Sequence, residues 1–171
     1  MKAGRLVQLR RGLYALAGPH RKNPAHPFLV ANRLKRASYV SLQSALEFHG
    51  LIPDYVPSIT SVTTGRPETL HTPYGTFIFR HIKKEAFFGY RPLDLGGGQS
   101  AFIASAEKAL LDLLYLTPGS DRLDFLTEQR LQNLEKLDKE LLSETARRFR
   151  SEKVKKSALE INKMAEETKS P

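Results

Sequence analysis

The stretch ETLHTPYGTFIFRHIK, residues 68–83, leaves little freedom in what it can become. Thr, Leu, Phe and Ile crowd both sides of a Pro-Tyr-Gly turn, and such residues fit a pleated, half-buried surface. The segment predicts a β-hairpin. At a period of two, Phe77, Phe79 and His81 share one face of its second strand, and Ile78, Arg80 and Ile82 share the other. The β-branched run SITSVTTG, residues 58–65, predicts a strand just before it. Any fold for this chain must therefore contain a sheet in its middle.

The flanks read as helices and a second hairpin. RLVQLRRGLYALA (5–17) predicts two short strands around Arg11-Gly12, where glycine supplies the positive φ of a tight turn. GPHRKNPAHP (18–27) is a loop. PFLVANRLKRA (27–37) predicts a short helix, with Pro27 in its first turn and Phe28, Ala31 and Leu34 as its apolar stripe. Ser41 is placed to cap the helix LQSALEFHG, which buries Leu42, Ala45 and Leu46, carries His49 on the same face and ends at Gly50. FFGY (87–90) reads as a further short strand and GGGQS (96–100) as a flexible connector. SAEKALLDLLYL (105–116) predicts a helix capped by Ser105, with Glu107 suiting the dipole and Lys108 neutralising Asp112 one turn on. TPGSD (117–121) stops it. Leu131, Leu134, Leu137, Leu141 and Phe149 predict one long amphipathic helix, supported by Glu135–Lys139 and Glu144–Arg148 pairs. Val154, Ala158, Ile161 and Ala165 predict a last helix, and EETKSP predicts a frayed end.

The expected class is α+β. A small, mainly antiparallel sheet is flanked by helices, with a hairpin ahead of it and a helical C-terminal part. The expected division is a basic hairpin and helix over 1–37 and an α+β domain over 38–171.

Charge narrows the function. The net charge is +9, and residues 1–50 hold nine Lys or Arg against one acid, Glu47. Residues 101–171 are balanced, thirteen against thirteen. A basic first third suits phosphate or an acidic partner. No apolar run is long enough to span a membrane, and the basic N-terminus lacks the apolar core of a secretory signal. The chain has no cysteine, which excludes disulfides and cysteine metal sites and fits a cytoplasmic location.

Catalytic constellations are hard to find. His20, His26, His49, His71 and His81 form no HxxxH pair. His20 and His26 read as solvated loop residues, His49 as a hydrogen-bonding group at a helix end, and His71 with His81 as a cross-strand pair. GGGQS lacks the phosphate-loop pattern. PGSDRLD (118–124), with Asp121 and Asp124, is too compact to hold a phosphate and present acids to Mg²⁺ separately. The expectation is a protein that is not an enzyme, with no cofactor and no metal. Its contact candidates are Arg10, Arg11, Arg33, Lys35 and Arg36 for nucleic-acid phosphate. For a protein partner they are Arg66, Arg80, His81, Lys83 and Lys84.

The series RRGLYAL, YVSLQSALEFHGLIPDYVPSITSVTTGR, TPYGTFIFRHIKKEAFFGY and ASAEKALLDLLYL, in that order, resembles the AbiE-type antitoxins and transcriptional regulators of bacterial type IV toxin–antitoxin (abortive infection, phage-defence) systems. It spans about residues 10 to 116, with helical continuation to about 165. The resemblance implies a winged helix-turn-helix that represses its own operon, joined to an antitoxin domain that counters a separately encoded nucleotidyltransferase-like toxin. RRGLY corresponds to the wing. Only eleven residues precede Gly12, too few for the helices of that motif. Either this is a member without them, or they lie upstream of Met1. The rivals are a general nucleic-acid-binding module with no toxin partner and, from the enzyme class, a nucleotidyl- or phosphoryl-transferase.

Overall fold

A computed structural model describes residues 6–18 and 23–168 of the chain. Lys2, Arg5, His20 and the last three residues lie outside the described residues, and so do the expectations that fall on them. The class is α+β, with eight strands and six helices among the described residues.

The N-terminal hairpin forms as expected. β1 (Leu6–Arg10) and β2 (Leu13–Leu16) run antiparallel, with Leu6 opposite Leu16 and Gln8 opposite Tyr14. Then follow α1 (Pro27–Leu34), β3 (Ser38–Val40), α2 (Leu42–Phe48), β4 (Ile59–Thr63), β5 (Glu68–Thr72) and β6 (Gly75–His81). A 3-10 turn at Lys84–Ala86 leads to β7 (Tyr90–Gly96) and β8 (Gln99–Ala104). The remainder is helical: α3 (Ala106–Leu116), α4 (Leu123–Glu128), α5 (Lys139–Arg148) and α6 (Glu152–Glu167).

The main sheet has six strands in the order β5-β6-β4-β3-β8-β7. It is mixed: β3–β4, β5–β6 and β7–β8 are antiparallel, whereas β4–β6 and β3–β8 are parallel. Strand register assigns its two faces. Tyr39, Val62 and Arg80 align on one, where the Tyr39 hydroxyl meets α3. Ser61, Phe79 and Glu68 align on the other, where Lys35, just past α1, reaches Glu68. The side chains of α1 and those of the sheet and C-terminal helices belong to one continuous core.

Several local expectations give way to tertiary demands. α1 stops at Leu34 instead of Ala37, because Ser38–Val40 is needed as β3; the Ser38 hydroxyl donates back to the Lys35 carbonyl. Residues 87–89 are not a strand; strand structure begins at Tyr90. GGGQS is not a loose connector but the tight turn of the β7–β8 hairpin. The expected long helix from Leu131 is broken. Leu134–Lys136 is a 3-10 turn, and α5 starts afresh at Lys139 with Asp138 accepting from the Glu140 and Leu141 amides. Glu135 and Lys139 therefore share no helix, and Lys139 bonds Glu166 at 3.0 Å. Glu166 and Glu167 are helical, not frayed. His71 faces Thr76 in the hairpin register and His81 pairs with Thr63 of β4, so the two histidines do not meet.

α3 is buried almost all round, the mark of a helix sandwiched between layers. Its two charged residues on the sheet side are wholly buried. Lys108 Nζ donates to Asp112 Oδ1 and, at 2.7 Å, to the Tyr39 hydroxyl. Tyr39 Oη and Ser41 Oγ both donate to Asp112 Oδ2, at 3.0 and 2.7 Å. The ammonium also lies 4.7–5.3 Å from the ring centres of Phe149, Phe88 and Tyr39, close enough for cation–π attraction. Ser41 was expected to cap α2; its hydroxyl is taken by Asp112, and it makes no side-chain cap. Gly89 adjoins the same box. It sits at φ +74°, and a Cβ there would lie 2.9 Å from Lys108 Cγ.

Burial pushes the Lys108 ammonium below its ordinary range and the Asp112 carboxyl above its own, and their mutual attraction opposes both shifts. Removing one partner strands the other. Lys108→Met is expected to cost about 3–5 kcal/mol. The double variant Lys108→Met/Asp112→Leu should recover most of that loss. Urea unfolding of the three proteins measures both values; a single variant as stable as the wild type would contradict the account.

Candidate functional site

The candidate contact residues fall into three groups, which the sequence order does not suggest. The first joins the N-terminal hairpin to the body. Arg10 Nη1 donates to the Leu34 carbonyl at 3.1 Å and to Glu68 Oε1 at 3.3 Å. Lys35 Nζ donates to the same Glu68 oxygen at 2.5 Å and to the Arg66 carbonyl at 2.7 Å. Lys35 also lies 5.6 Å from the Phe79 ring centre. Two residues expected to reach for phosphate are therefore tied to a carboxylate within the molecule. Arg11 stands at the turn of the hairpin, exposed.

The second group is Arg33 and Arg36. They line a hollow of about 270 Å³ with Leu29, Asn32, Ser100 and Phe102. Both are exposed, and neither side chain has an ion-pair or hydrogen-bond partner among the described residues. The hollow opens where β3 begins and β8 runs on past it. There Asn32 Oδ1 accepts the Phe102 amide at 2.6 Å, in place of a strand neighbour.

The third group lies at the C-terminal end of β6. Arg80 Nη2 donates to the Leu116 carbonyl at 3.0 Å, and Lys153 donates to the Tyr115 and Thr117 carbonyls at 3.2 and 2.8 Å. These cations satisfy the open end of α3. The His81 Nδ1 lies 2.9 Å from the Gly65 carbonyl. Lys83 lines a hollow of about 400 Å³ with Glu85, Tyr115, Arg148, Phe149 and Arg150. Lys84 begins the adjoining 3-10 turn. Arg148 and Arg150 join this basic end from α5 and its exit, a contribution that sequence reasoning missed. Arg148 lies flat over Phe88, its guanidinium 3.7 Å from the ring centre.

The histidines are fitted into the fold. His26 is no free loop residue: its Nδ1 accepts the Phe28 amide at 3.1 Å, and its ring meets Phe28 edge-on. Burial lowers its proton affinity. His49 Nε2 lies 2.9 Å from the Ala104 carbonyl at the end of β8. His71 Nδ1 lies 3.1 Å from Thr76 Oγ1. Ser120 is buried, its hydroxyl donating to the Leu114 carbonyl, while Asp124 pairs with Arg122 on the surface. In GGGQS, Gln99 bridges the His26 amide and the Pro24 carbonyl. Among the described residues, no group of three or more His, Asp or Glu is placed to hold a metal ion, and no helix is long and apolar enough to cross a membrane. No family model matches the chain, and no curated protein matches it.

The hairpin's tether rests on the Glu68 carboxylate. The hydrogen bond from Lys35 holds the Glu68 carboxyl below its ordinary value of 4.5, with help from the charges of Lys35 and Arg10. A lowered carboxyl contributes stability that is complete above its unfolded value and is lost as pH falls through the folded one. Wild type should therefore be more stable than Glu68→Gln at neutral pH, and the difference should shrink as pH falls below the ordinary carboxyl value of 4.5 and through the lower folded one. Thermal unfolding of both proteins across that range tests this; a difference that persists in acid would assign the stabilisation elsewhere.

Proposed function

We propose that this chain is an antitoxin and transcriptional regulator of an AbiE-like toxin–antitoxin system, countering a nucleotidyltransferase-like toxin by stoichiometric binding and not by catalysis. The observation that carries this reading is the basic end at which Lys83, Arg148 and Arg150 line a hollow with Tyr115, Phe149 and one acid, Glu85, while Lys84 begins the adjoining 3-10 turn. Among the described residues, Lys83, Lys84 and Arg150 have no ion-pair partner. Aromatic residues and arginines in a shallow depression are what protein interfaces use as anchors, and the excess charge favours an acidic partner. The ordered series of motifs that resembles the family supports the reading as well. Three segments of that series contribute to the single core, and Leu13 of the first packs against it.

A general nucleic-acid-binding module is the second reading. It is favoured by Arg33 and Arg36, which are exposed and unpaired. Its affinity would fall steeply with salt, by roughly one decade per decade of salt for each phosphate neutralised.

Co-expression with a neighbouring nucleotidyltransferase-like protein separates the two. Wild type should restore growth against that toxin, and Lys83→Glu/Lys84→Glu/Arg150→Glu should weaken capture of the toxin by about 10-fold or more. Arg33→Glu/Arg36→Glu should leave rescue intact. Failure of the wild type to restore growth would end the antitoxin reading.

A further inference from the structure

The hollow beside β8 supports an inference that goes beyond the antitoxin reading and stands independently of it. Three things meet there. Arg33 and Arg36 bring two guanidinium groups, whose planar forks match phosphate oxygens. Ser100 adds an exposed hydroxyl. Phe102 adds an aromatic ring that is 45% exposed, although it lies in the middle of a strand whose neighbours Ala101 and Ile103 are buried.

That ring also has an aromatic neighbour. It meets Tyr90 edge-on at 5.7 Å, and Tyr90 stacks on the buried Tyr39 at 4.6 Å. Tyr39 in turn is bonded to Lys108 and Asp112. Pro92 lies opposite Phe102 in the strand register and borders the same hollow. An exposed aromatic on a sheet is ordinary by itself. Here it borders the same hollow as two arginines whose side chains have no internal partners, and so an aromatic face and an anion-binding pair are available together. Proteins that bind single-stranded nucleic acid combine these two elements.

We propose that this hollow binds one nucleoside 5′-phosphate unit, with Arg33 and Arg36 on the phosphate and the base stacked on Phe102. The unit is either a free nucleotide or one nucleotide of a single strand. A duplex does not fit, because its bases are already stacked on one another and cannot lie on Phe102. Arg10 and Lys35, tied to Glu68, take no part.

The test uses the full chain and a base that fluoresces. The probes are 2-aminopurine riboside 5′-phosphate and a single-stranded oligonucleotide with one internal 2-aminopurine. Stacking on Phe102 should change the emission of at least one probe on binding. Arg33→Gln/Arg36→Gln should weaken that binding by on the order of 10-fold or more, and Phe102→Ala by about 10-fold with loss of the emission change. Ser100→Glu, a surface change that sets a carboxylate beside the clamp, should weaken it without touching either arginine. Arg11→Gln should leave it unchanged. Response to the free nucleotide alone, or to the strand alone, identifies the source of the ligand and supports the site in both cases. No emission change with either probe, or binding indifferent to both Arg33→Gln/Arg36→Gln and Ser100→Glu in folded proteins, would overturn the proposal.

Discussion

The buried pair of Lys108 and Asp112 is the constraint around which the other layers arrange themselves. Taking two charges out of water costs several kcal/mol each, and their attraction offsets this only when every remaining hydrogen-bonding position is filled. Tyr39 and Ser41 fill those on the sheet side, so β3 and the start of α2 must lie where their hydroxyls reach Asp112. Phe88 and Phe149 close the box from the loop after β6 and from the end of α5. One ion pair thus takes contacts from a strand, a helix, a loop and the end of α5 at once.

The same pair explains departures from local rules nearby. Ser41 has the residue type and the extended backbone of a helix cap, yet its hydroxyl serves Asp112. Its carbonyl accepts from Thr60 Oγ1 at 2.7 Å and its amide donates to the Thr60 carbonyl, so the residue is held from both sides. The chain then enters α2 through Leu42 at φ 57°, an unfavourable conformation for a leucine. Leu42 is nevertheless almost completely buried. Strain of this kind persists where surrounding contacts over-determine the backbone, and here the contacts are those that complete the ion pair's shell.

Much of the fold was legible because the responsible signals are local. The β5–β6 hairpin follows from its turn and its β-branched residues, α3 from Ser105 and its apolar spacing, and α6 from Val154, Ala158, Ile161 and Ala165. The pairing of Lys108 with Asp112 was legible too, since four residues in a helix is contact distance. What escaped depends on distant partners. Leu131, Leu134 and Leu137 keep helical spacing through a segment that is not α-helical. Gln132 and Asn133 are fastened to the carbonyls of Leu51 and Gly50, and Arg130 and Asn133 adopt positive φ. β7 was hidden by Pro92, which a strand accepts only at an edge, and β7 is an edge.

The candidate surfaces show the same division more sharply. Sequence order grouped Arg10, Arg11, Arg33, Lys35 and Arg36 as one basic stretch. Glu68, 58 residues from Arg10 and 33 from Lys35, separates them by claiming two. The charge of the N-terminal third is therefore not a uniform field. Part of it is neutralised where it holds the hairpin to the sheet, and part is left exposed beside Phe102. Arg148 and Arg150 add to the opposite count, bringing positive charge to the end of β6 from a segment whose overall balance is neutral. Net charge by segment counts charges along the chain, whereas the fold distributes them in space. Cations that no internal carboxylate has taken remain at the notch beside β8 and at the end of β6, two separate places on the surface.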